Sequence, residues 1–318
     1  MFPFVFFFLL FYCYISFSQD MAFITNQESD LLDVIDLKKM KKVDEIKVGK
    51  RPAGIIVDQF SKRVFVANPE SDNVSIIDID AKTNTIVDAG NSPISLALDN
   101  KTNLLFVSNW YDNTITIVDL NSYKIKKILN VGNSPAGIYL DKKINKLFVA
   151  NRESNNVSVI DTTKLKTIKN IEVEKAPFGV YSEEYLDYVV ITNVQSNSIS
   201  IIDKKALYVD FHLKVSEWPY SAIHNKRNNQ LYVTNQRDDS ISVIDMDKKE
   251  KISTISDICE YPEGIDLSYS QNLIVVACWF QDNIILIDLD NLEIKKKITT
   301  SGGPRAFGRF VLNGEYEH

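Results

Sequence analysis

Histidine and cysteine are scarce in this chain, which holds three of each among its 318 residues. The histidines, His212, His224 and His318, are too few and too far apart to suggest a metal-ligand cluster or a Ser-His-Asp catalytic set. We interpret His224 as a packed or hydrogen-bonded strand residue, because a lone histidine needs partners to become a metal ligand. The sequence therefore predicts no metal site.

Phosphate-binding glycine motifs and excess positive charge are missing as well. No Walker-type or dinucleotide-binding glycine pattern occurs in the sequence. The formal net charge of -6 argues against a general polyanion binder, because neutralising phosphates is what drives non-specific nucleic-acid affinity. We expect a protein without a cofactor and without catalytic residues.

Residues 1–18 lack any charged side chain and form an apolar run that ends in Ser16-Phe17-Ser18. This small-x-small ending predicts a signal peptide that is cleaved before Gln19. An uncleaved anchor is the alternative, because no Lys or Arg precedes the run, although the run is shorter than the about 20 residues of a spanning helix. We expect residues 19–318 to be periplasmic, secreted or at the cell surface, with no stable membrane span.

One six-residue stretch, QLYVTN at 230–235, recurs along the whole chain. Aligned on its last residue, seven copies follow one another at steps of 42, 41, 42, 42, 42 and 43 residues, at Asn26, Asn68, Asn109, Asn151, Asn193, Asn235 and Cys278. Each copy leads into an apolar run that ends in aspartate, and a proline stands 16 residues before each copy from Asn68 onward. Such regular spacing identifies a repeat protein.

Each repeat contains four short, β-branched runs that are separated by Asn, Asp, Gly and Lys turns. A four-stranded repeat of about 40 to 45 residues is typical of a propeller blade. The C-terminal SGGPRAFGRFVLNG (301–314) supplies an inner strand, which MAFITN (21–26) lacks. We therefore predict an all-β fold, a seven-bladed β-propeller over residues 19–318 with four-stranded blades, closed by pairing of its N- and C-terminal strands.

Three motifs carry a resemblance to a known family: LYVTN at 231–235, VGNSPAG at 131–137 and NNVSVID at 155–161. They resemble the YVTN-repeat β-propellers, the YncE-like group, and the resemblance covers essentially the whole mature chain. It implies a seven-bladed propeller of a kind commonly exported to the bacterial periplasm or the archaeal cell surface, with no shared catalytic residues.

The chain departs from its own repeat in the last complete copy. Cys278 replaces the aligned asparagine there, and Cys259 stands where other copies have a glycine, such as Gly49 and Gly132. A disulfide between Cys259 and Cys278 is one hypothesis, because an exported protein lies in oxidising surroundings. Two separate buried thiols are the other.

Function is expected where the repeats differ, on the face that carries the loops around each proline and the loops after each aligned asparagine. We call this the upper face. It gathers aromatic and arginine residues, the types that dominate binding energy at interfaces: Arg51, Trp110, Tyr111, Arg152, Trp218, Tyr220, Arg237, Tyr261, Glu263, Trp279, Phe280 and Arg305. We predict that this set binds a protein partner or a small ligand in the cell envelope. Packing of the loops is the alternative.

Two further functions stay open at this point. Interleaved Trp, Tyr and Arg residues also suit single-stranded nucleic acid. Propellers similar to this family include lactonases, lyases and subunits of periplasmic dehydrogenases, and Glu263 beside Arg305 is the one pair to test for catalysis. An ion pair is the simpler account of those two residues.

Other recurring polar residues are interpreted as structural. The aspartates that end the third strand-like run suit turns better than calcium sites, because aspartate accepts hydrogen bonds from the backbone that follows it. The aligned asparagines are expected to cap the loops that follow them. Lysine-rich turns on the opposite, lower face are expected to form a solvated rim.

Overall fold

The computed structural model describes residues 20–314. The predicted signal peptide, with Cys13, and the C-terminal His318 lie outside the described residues. Within residues 20–314 the chain forms 29 β-strands in seven sheets, arranged as a ring. The all-β, seven-bladed β-propeller is thereby confirmed. The helical elements of this range are short 3-10 turns, and none is long and apolar enough to cross a membrane.

Six blades follow one another along the chain with four strands each. Their bounds are, for blade 1, β4 Gly54–Asp58, β5 Arg63–Asn68, β6 Asn73–Asp78 and β7 Thr83–Asp88; for blade 2, β8 Pro93–Asp99, β9 Leu104–Asn109, β10 Thr114–Asp119 and β11 Lys124–Asn130; for blade 3, β12 Pro135–Asp141, β13 Lys146–Asn151, β14 Asn156–Asp161 and β15 Lys166–Glu172. Blade 4 has β16 Pro177–Tyr181, β17 Tyr188–Asn193, β18 Ser198–Asp203 and β19 Tyr208–Lys214; blade 5 has β20 Pro219–Asn225, β21 Gln230–Asn235, β22 Ser240–Asp245 and β23 Glu250–Ile255; blade 6 has β24 Pro262–Ser268, β25 Leu273–Cys278, β26 Asn283–Asp288 and β27 Ile294–Thr299.

The seventh, closing blade joins the two ends of the described chain. It contains β1 Met21–Asn26, β2 Leu31–Asp36 and β3 Lys41–Lys47, and β29 Val311–Leu312 pairs with β1 as its inner strand. Pro304 bridges Asn26 at the other end of the same segment. The predicted closure of the ring is therefore confirmed.

The closing segment differs from the other inner strands in one respect. Its middle part, β28 Phe307–Arg309, leaves β1 and pairs in parallel with β4 of blade 1. Gly308 permits this path, because its φ is 137° and a Cβ there would lie 2.0 Å from the carbonyl oxygen of Ile55. The closing segment thus pairs both with β1 of the closing blade, through β29, and with β4 of blade 1, through β28.

The burial of each strand follows from its place in the blade. The second strand is flanked by neighbouring blades on both faces, so β9 is buried along its whole length. The outer strand has one face in solvent and carries charge, as in KIKKILN of β11, where almost every side chain is exposed. This arrangement explains why the second and third strands of each blade have apolar sequences and why lysine is frequent in the outer strands.

The inner strands of neighbouring blades approach each other closely just after each proline. A Cβ on Gly54 would lie 2.0 Å from the carbonyl oxygen of Ile94 in blade 2, and a Cβ on Gly264 would lie 2.1 Å from that of Ala306. The second position after each proline is accordingly a glycine, serine or alanine. The intervening residues, directly after the prolines, meet at the upper end of the channel.

The aligned asparagines are buried structural residues. In blade 2, the Asn109 side chain donates from Nδ2 to the hydroxyls of Thr114 (3.0 Å) and Thr116 (2.8 Å) on the third strand. Its Oδ1 accepts from the backbone N–H of Gly90 at 3.0 Å. Asn109 therefore ties its own strand both to the third strand and to the loop that enters from blade 1. The predicted capping of the loop that follows is not seen at Asn151, Asn193 or Asn235, whose side chains make no cap hydrogen bond.

The repeated aspartates close turns, as the sequence predicts. Oδ1 of Asp161 accepts the backbone N–H groups of Thr163 and Lys164, both at 3.0 Å. The hydroxyl of Thr163 and these N–H groups lower the pKa of Asp161 to about 2. Asp288 has the same role in blade 6, where Lys295 and two backbone N–H groups lower its pKa to about 2.

A disulfide joins Cys259 and Cys278 in blade 6, with their Cα atoms 5.8 Å apart. In blades 1, 2 and 3 the same two places hold a glycine packed on the aligned asparagine, and a Cβ on Gly49 would lie 2.6 Å from the side chain of Asn68. The covalent bond thus replaces a tight contact between the second strand and the inter-blade loop. Blade 6 also has Ile285 where Asn109 finds the hydroxyl acceptor Thr116, so an asparagine at position 278 would lack that partner.

Candidate binding site on the upper face

Backbone conformation fixes several of the predicted site residues on the upper face. Arg51, Trp218 and Tyr261 each precede a proline and have positive φ values of 55°, 57° and 55°. Side chains of the preceding blade hold this conformation, since the N–H of Arg51 donates to Asp30 (2.8 Å) and that of Trp218 to Asn197 (3.1 Å). The rigid blades therefore position loops that are otherwise strained for non-glycine residues.

An aromatic cluster fills one side of the upper channel mouth. The ring of Phe178 stacks on Tyr220 with centroids 4.5 Å apart, and Phe307 lies 5.0 Å from Phe178 and 5.3 Å from Tyr220. All three side chains are buried, and burial raises the pKa of the Tyr220 phenol. Tyr220, which the sequence places in the binding set, is thus mainly part of the floor of the mouth.

Glu263 and Arg305 form a two-pronged ion pair next to this cluster. Nε of Arg305 donates to one carboxylate oxygen at 2.6 Å, and Nη2 donates to the other at 3.1 Å and to the Tyr220 hydroxyl at 2.7 Å. Gln236 adds a bond to Glu263 at 2.9 Å. Burial raises the pKa of Glu263, which is 1% exposed, while Arg305 and Gln236 oppose that shift. Both carboxylate oxygens are engaged, so the geometry offers no free general base.

A cavity of about 550 Å³ opens beside the aromatic cluster. Phe178, Tyr220 and Phe307 form its floor, and the small or aliphatic residues Ala53 and Ile94 form the opposite wall. Ala53 and Ile94 follow prolines of blades 1 and 2, as Tyr220 does in blade 5. The uneven size of the residues at this one repeat position is what leaves room for the cavity.

The rim of the upper cavity carries charge and one exposed aromatic ring. Arg51 lies 3.4 Å from Glu70, and Arg305, which is bound to Glu263, also lines the cavity. Tyr111 is 69% exposed and lines the opening. Of the twelve predicted site residues, the cavity brings together Arg51, Tyr111, Tyr220 and Arg305.

Two arginine–tryptophan pairs lie outside the cavity on the same face. The guanidinium of Arg237 covers the ring of Trp218 at 4.1 Å, and that of Arg152 lies 5.9 Å from Trp110. Trp110 in turn contacts Phe178, with centroids 6.1 Å apart. Trp110, Arg152 and Trp218 are half-buried, whereas Arg237 is exposed.

A third aromatic group lies on blade 6. Trp279 stacks on Phe280 with centroids 4.6 Å apart, and Tyr261 meets Phe280 edge-on at 4.7 Å. Arg305 lies 5.4 Å above the Trp279 ring and so connects this group to the cavity. Phe280 is 57% exposed, which makes it the most accessible ring of the three.

The structure also places a second cavity, of about 350 Å³, at the lower end of the channel, where the sequence analysis proposed no site. Its lining includes Tyr185, His224, Tyr269 and Arg309. One signal was available in the sequence, because residues 182–187 depart from the Asp- or Asn-led turn of blades 1, 2, 3 and 5. Over residues 20–314, no group of three or more His, Cys, Asp or Glu side chains is arranged to hold a metal ion.

Comparison with known proteins supports the fold and goes no further. No protein-family model and no curated protein matches this sequence. Among solved structures, the chain is similar to hydrazine synthase of Kuenenia stuttgartiensis, with a TM-score of 0.72 and 16% identity over 79% of this chain and 87% of that chain. It is similar to a functionally unknown protein from Desulfotomaculum acetoxidans DSM 771, with a TM-score of 0.79 and 9% identity over 89% and 98%.

A third similar structure is the dihydro-heme d1 dehydrogenase NirN in complex with DHE, with a TM-score of 0.69 and 12% identity over 94% of this chain and 76% of that chain. Identities this low show a shared propeller fold alone. Membership of the YVTN-repeat group therefore stays a prediction from the motifs.

Proposed function

We propose that this chain is an exported, non-enzymatic β-propeller that binds a protein partner on its upper face, with the upper cavity as the anchoring site. The observation that carries this proposal is an aromatic-floored cavity of about 550 Å³ whose rim presents Tyr111 and two arginines. The alternative to a protein partner is a small ligand that binds in the same cavity.

The size and the lining of the cavity support binding. Ligand sites are concave, span about 300–1,000 Å³ and combine an apolar lining with a few placed polar groups. Interface anchors are enriched in Trp, Tyr and Arg and are surrounded by contacts that exclude water. Tyr111 and Phe280 are the exposed aromatic side chains of the predicted set, and a partner that covered them would bury large apolar area.

Charge on the upper face favours a protein over single-stranded nucleic acid. Arg51 is beside Glu70, Arg152 is 2.5 Å from Glu153, and Arg305 is bound to Glu263. These acidic neighbours cancel much of the positive field that phosphates require. The net charge of -6 acts in the same direction.

Binding rather than catalysis is proposed because the one pair that suggested chemistry is satisfied internally. Glu263 has both oxygens bound by Arg305 and one by Gln236. Hydrazine synthase and NirN share the fold with this chain at 16% and 12% identity, which transfers no activity.

Export is part of the proposal. The predicted signal peptide at residues 1–18 favours it. The Cys259–Cys278 disulfide is consistent with an oxidising compartment, because disulfides are rare in the reducing cytosol.

The test is a cross-linking pull-down from the cell envelope with the chain from Gln19 onward. The double variant Tyr111→Ala, Phe280→Ala removes exposed rings from the upper face and leaves the packed cluster intact. A matched control, Tyr123→Ala with Tyr208→Ala, removes two exposed rings that lie away from this face. A partner held by the wild type and the control and lost by the upper-face variant supports the proposal. Equal capture by all three proteins, or capture by none, contradicts it.

A further inference from the structure

The lower channel mouth has the chemistry of a second binding site. The cavity of about 350 Å³ is lined by side chains of blades 1, 4, 5 and 6 and of the closing segment, so it exists only in the assembled ring. Its volume is at the small end of the range for ligand sites, which suits a ligand the size of one sugar ring or one amino acid.

Arg309 is fixed in this cavity by two carboxylates. Its Nε donates to Oδ1 of the fully buried Asp266 at 2.9 Å, and its Nη1 donates to Oε1 of Glu183. Asp266 is held in turn by the backbone N–H groups of Phe310 (2.8 Å) and Val311 (3.0 Å). The guanidinium is therefore preorganised, and its charge is already balanced by acidic groups.

A donor and an acceptor remain available on the Arg309–Glu183 pair. Among the described residues, neither Nη2 of Arg309 nor Oε2 of Glu183 has a hydrogen-bond partner, while Oε1 of Glu183 also accepts from the Tyr181 hydroxyl. The side chains of Arg309 and Glu183 are 41% and 29% exposed. Two neighbouring hydroxyl groups of a ligand match this arrangement, since each hydroxyl both donates and accepts.

The imidazole of His224 is held in its neutral form. Nδ2 of Asn229 donates to Asp247 at 2.6 Å, which leaves Oδ1 of Asn229 to accept from Nε2 of His224 at 2.7 Å. Nδ1 then accepts from the Tyr185 hydroxyl at 3.1 Å. Burial lowers the pKa of His224, so the ring adds no charge to the cavity at neutral pH.

Two tyrosine rings complete the cavity. Tyr185 is 56% exposed, and Tyr269 is half-buried and covered by the guanidinium of Arg227 at 5.1 Å. A flat ring beside planar, hydrogen-bonding side chains is an arrangement that accepts the C–H face of a sugar while its hydroxyls meet the polar groups. The guanidinium of Arg309 is bound to the carboxylates of Asp266 and Glu183, so its charge is already compensated and does not favour an ionic ligand.

We propose that the lower cavity binds a neutral sugar, either a monosaccharide or the end residue of an oligosaccharide. Tyr185 stacks on the sugar ring, Nη2 of Arg309 donates to one hydroxyl and Oε2 of Glu183 accepts from the next. This site is separate from the upper cavity and does not depend on the function proposed for that face.

The test is a titration followed by NMR of the tyrosine-labelled chain, with glucose, galactose and N-acetylglucosamine as neutral probes and glucuronate and glucosamine as charged ones. We expect saturable shifts with at least one neutral sugar and weaker binding of both charged probes. Tyr185→Ala should weaken that binding at least tenfold, and Tyr185→Phe, which keeps the ring, should preserve it. Glu183→Gln keeps the shape of the side chain and serves as a second variant, which should also weaken sugar binding.

Tyr111→Ala on the upper face is the matched control and should leave sugar binding unchanged. The proposal is overturned if no neutral sugar binds up to its solubility limit or if glucuronate or glucosamine binds more tightly than every neutral probe. It is also overturned if Tyr185→Ala and Glu183→Gln both leave sugar binding intact, and loss of binding in Tyr111→Ala would then place the sugar in the upper cavity.

Discussion

Removal of the Cys259–Cys278 disulfide should lower the free energy of unfolding by about 3 kcal/mol. The bond spans a sequence separation of 19 residues, and the chain-entropy relation gives about 3 kcal/mol at 25 °C for a loop of that size. The variant is Cys259→Ala with Cys278→Ala, because both side chains are buried and alanine leaves no polar group there. A second variant, Cys259→Gly with Cys278→Asn, introduces the residues that blades 1, 2 and 3 have at these places. It should be less stable still, by about 1–3 kcal/mol, since Ile285 gives the buried amide no hydroxyl acceptor.

Urea unfolding of the oxidised wild type and both variants measures these differences, with intact mass after alkylation as the control for the bond. Free thiols in the wild type would refute the disulfide itself. A wild type that is bonded but within about 0.5 kcal/mol of the double alanine variant would refute the loop-closure argument. Equal stability of the two variants would show that the hydroxyl partner of the asparagine is unimportant.

Three further outcomes follow from the blade structure. The Asn109→Ala substitution should lower the free energy of unfolding by about 2–3 kcal/mol, because it leaves buried hydroxyl and N–H groups without a partner. The control Asn121→Ala, at an exposed turn, should change that free energy by less than about 0.5 kcal/mol, and urea unfolding measures both. The folded-state pKa values of Asp161 and Asp288, about 2, lie below the ordinary 3.8, so their contribution is full above about pH 4 and is lost toward pH 2. The melting temperature should therefore fall more steeply as the pH is lowered in the wild type than in the Asp161→Asn, Asp288→Asn variant. Parallel plots of melting temperature against pH for the two proteins would contradict the assignment. Deletion of residues 304–318 should expose the edge of β1 and raise the mass measured by light scattering above that of the full chain, and an unchanged oligomeric state would refute the closure argument.

The repeat made the fold predictable, because prolines and asparagines stand at equivalent places in every blade. Pro93 and Asn109 pair in the same sheet, and so do Pro135 and Asn151. A spacing that hardly varies leaves only one register for the four strands. The pairing of β28 with blade 1 was not predicted, because the sequence pattern around Gly308 indicates one continuous inner strand.

The sequence predicted which residues lie on the upper face, but it did not predict how deeply each of their side chains is buried. The loop positions of Arg51, Tyr111 and Arg305 follow from the repeat, and the structure gathers them around one cavity. The burial of Tyr220 and Glu263 could not be read from the repeat, because it depends on which side chain faces each of them across the channel.

The lower cavity went unnoticed for a similar physical reason. Glu183, His224 and Arg309 come from blade 4, blade 5 and the closing segment, and only ring closure brings them together. Lysine-rich turns dominate the lower face in the sequence, while the residues that line its cavity are single departures from the repeat.

The most direct test of the central claim is site-specific photo-cross-linking from the upper cavity. A photoreactive phenylalanine analogue replaces Tyr111 at the rim of that cavity in one protein and Tyr123 on the lower face in another. The upper-face account predicts a discrete cross-linked species from position 111, absent from position 123 and lost when Phe280→Ala is added. Identical products from both positions, or no product from position 111, would contradict it.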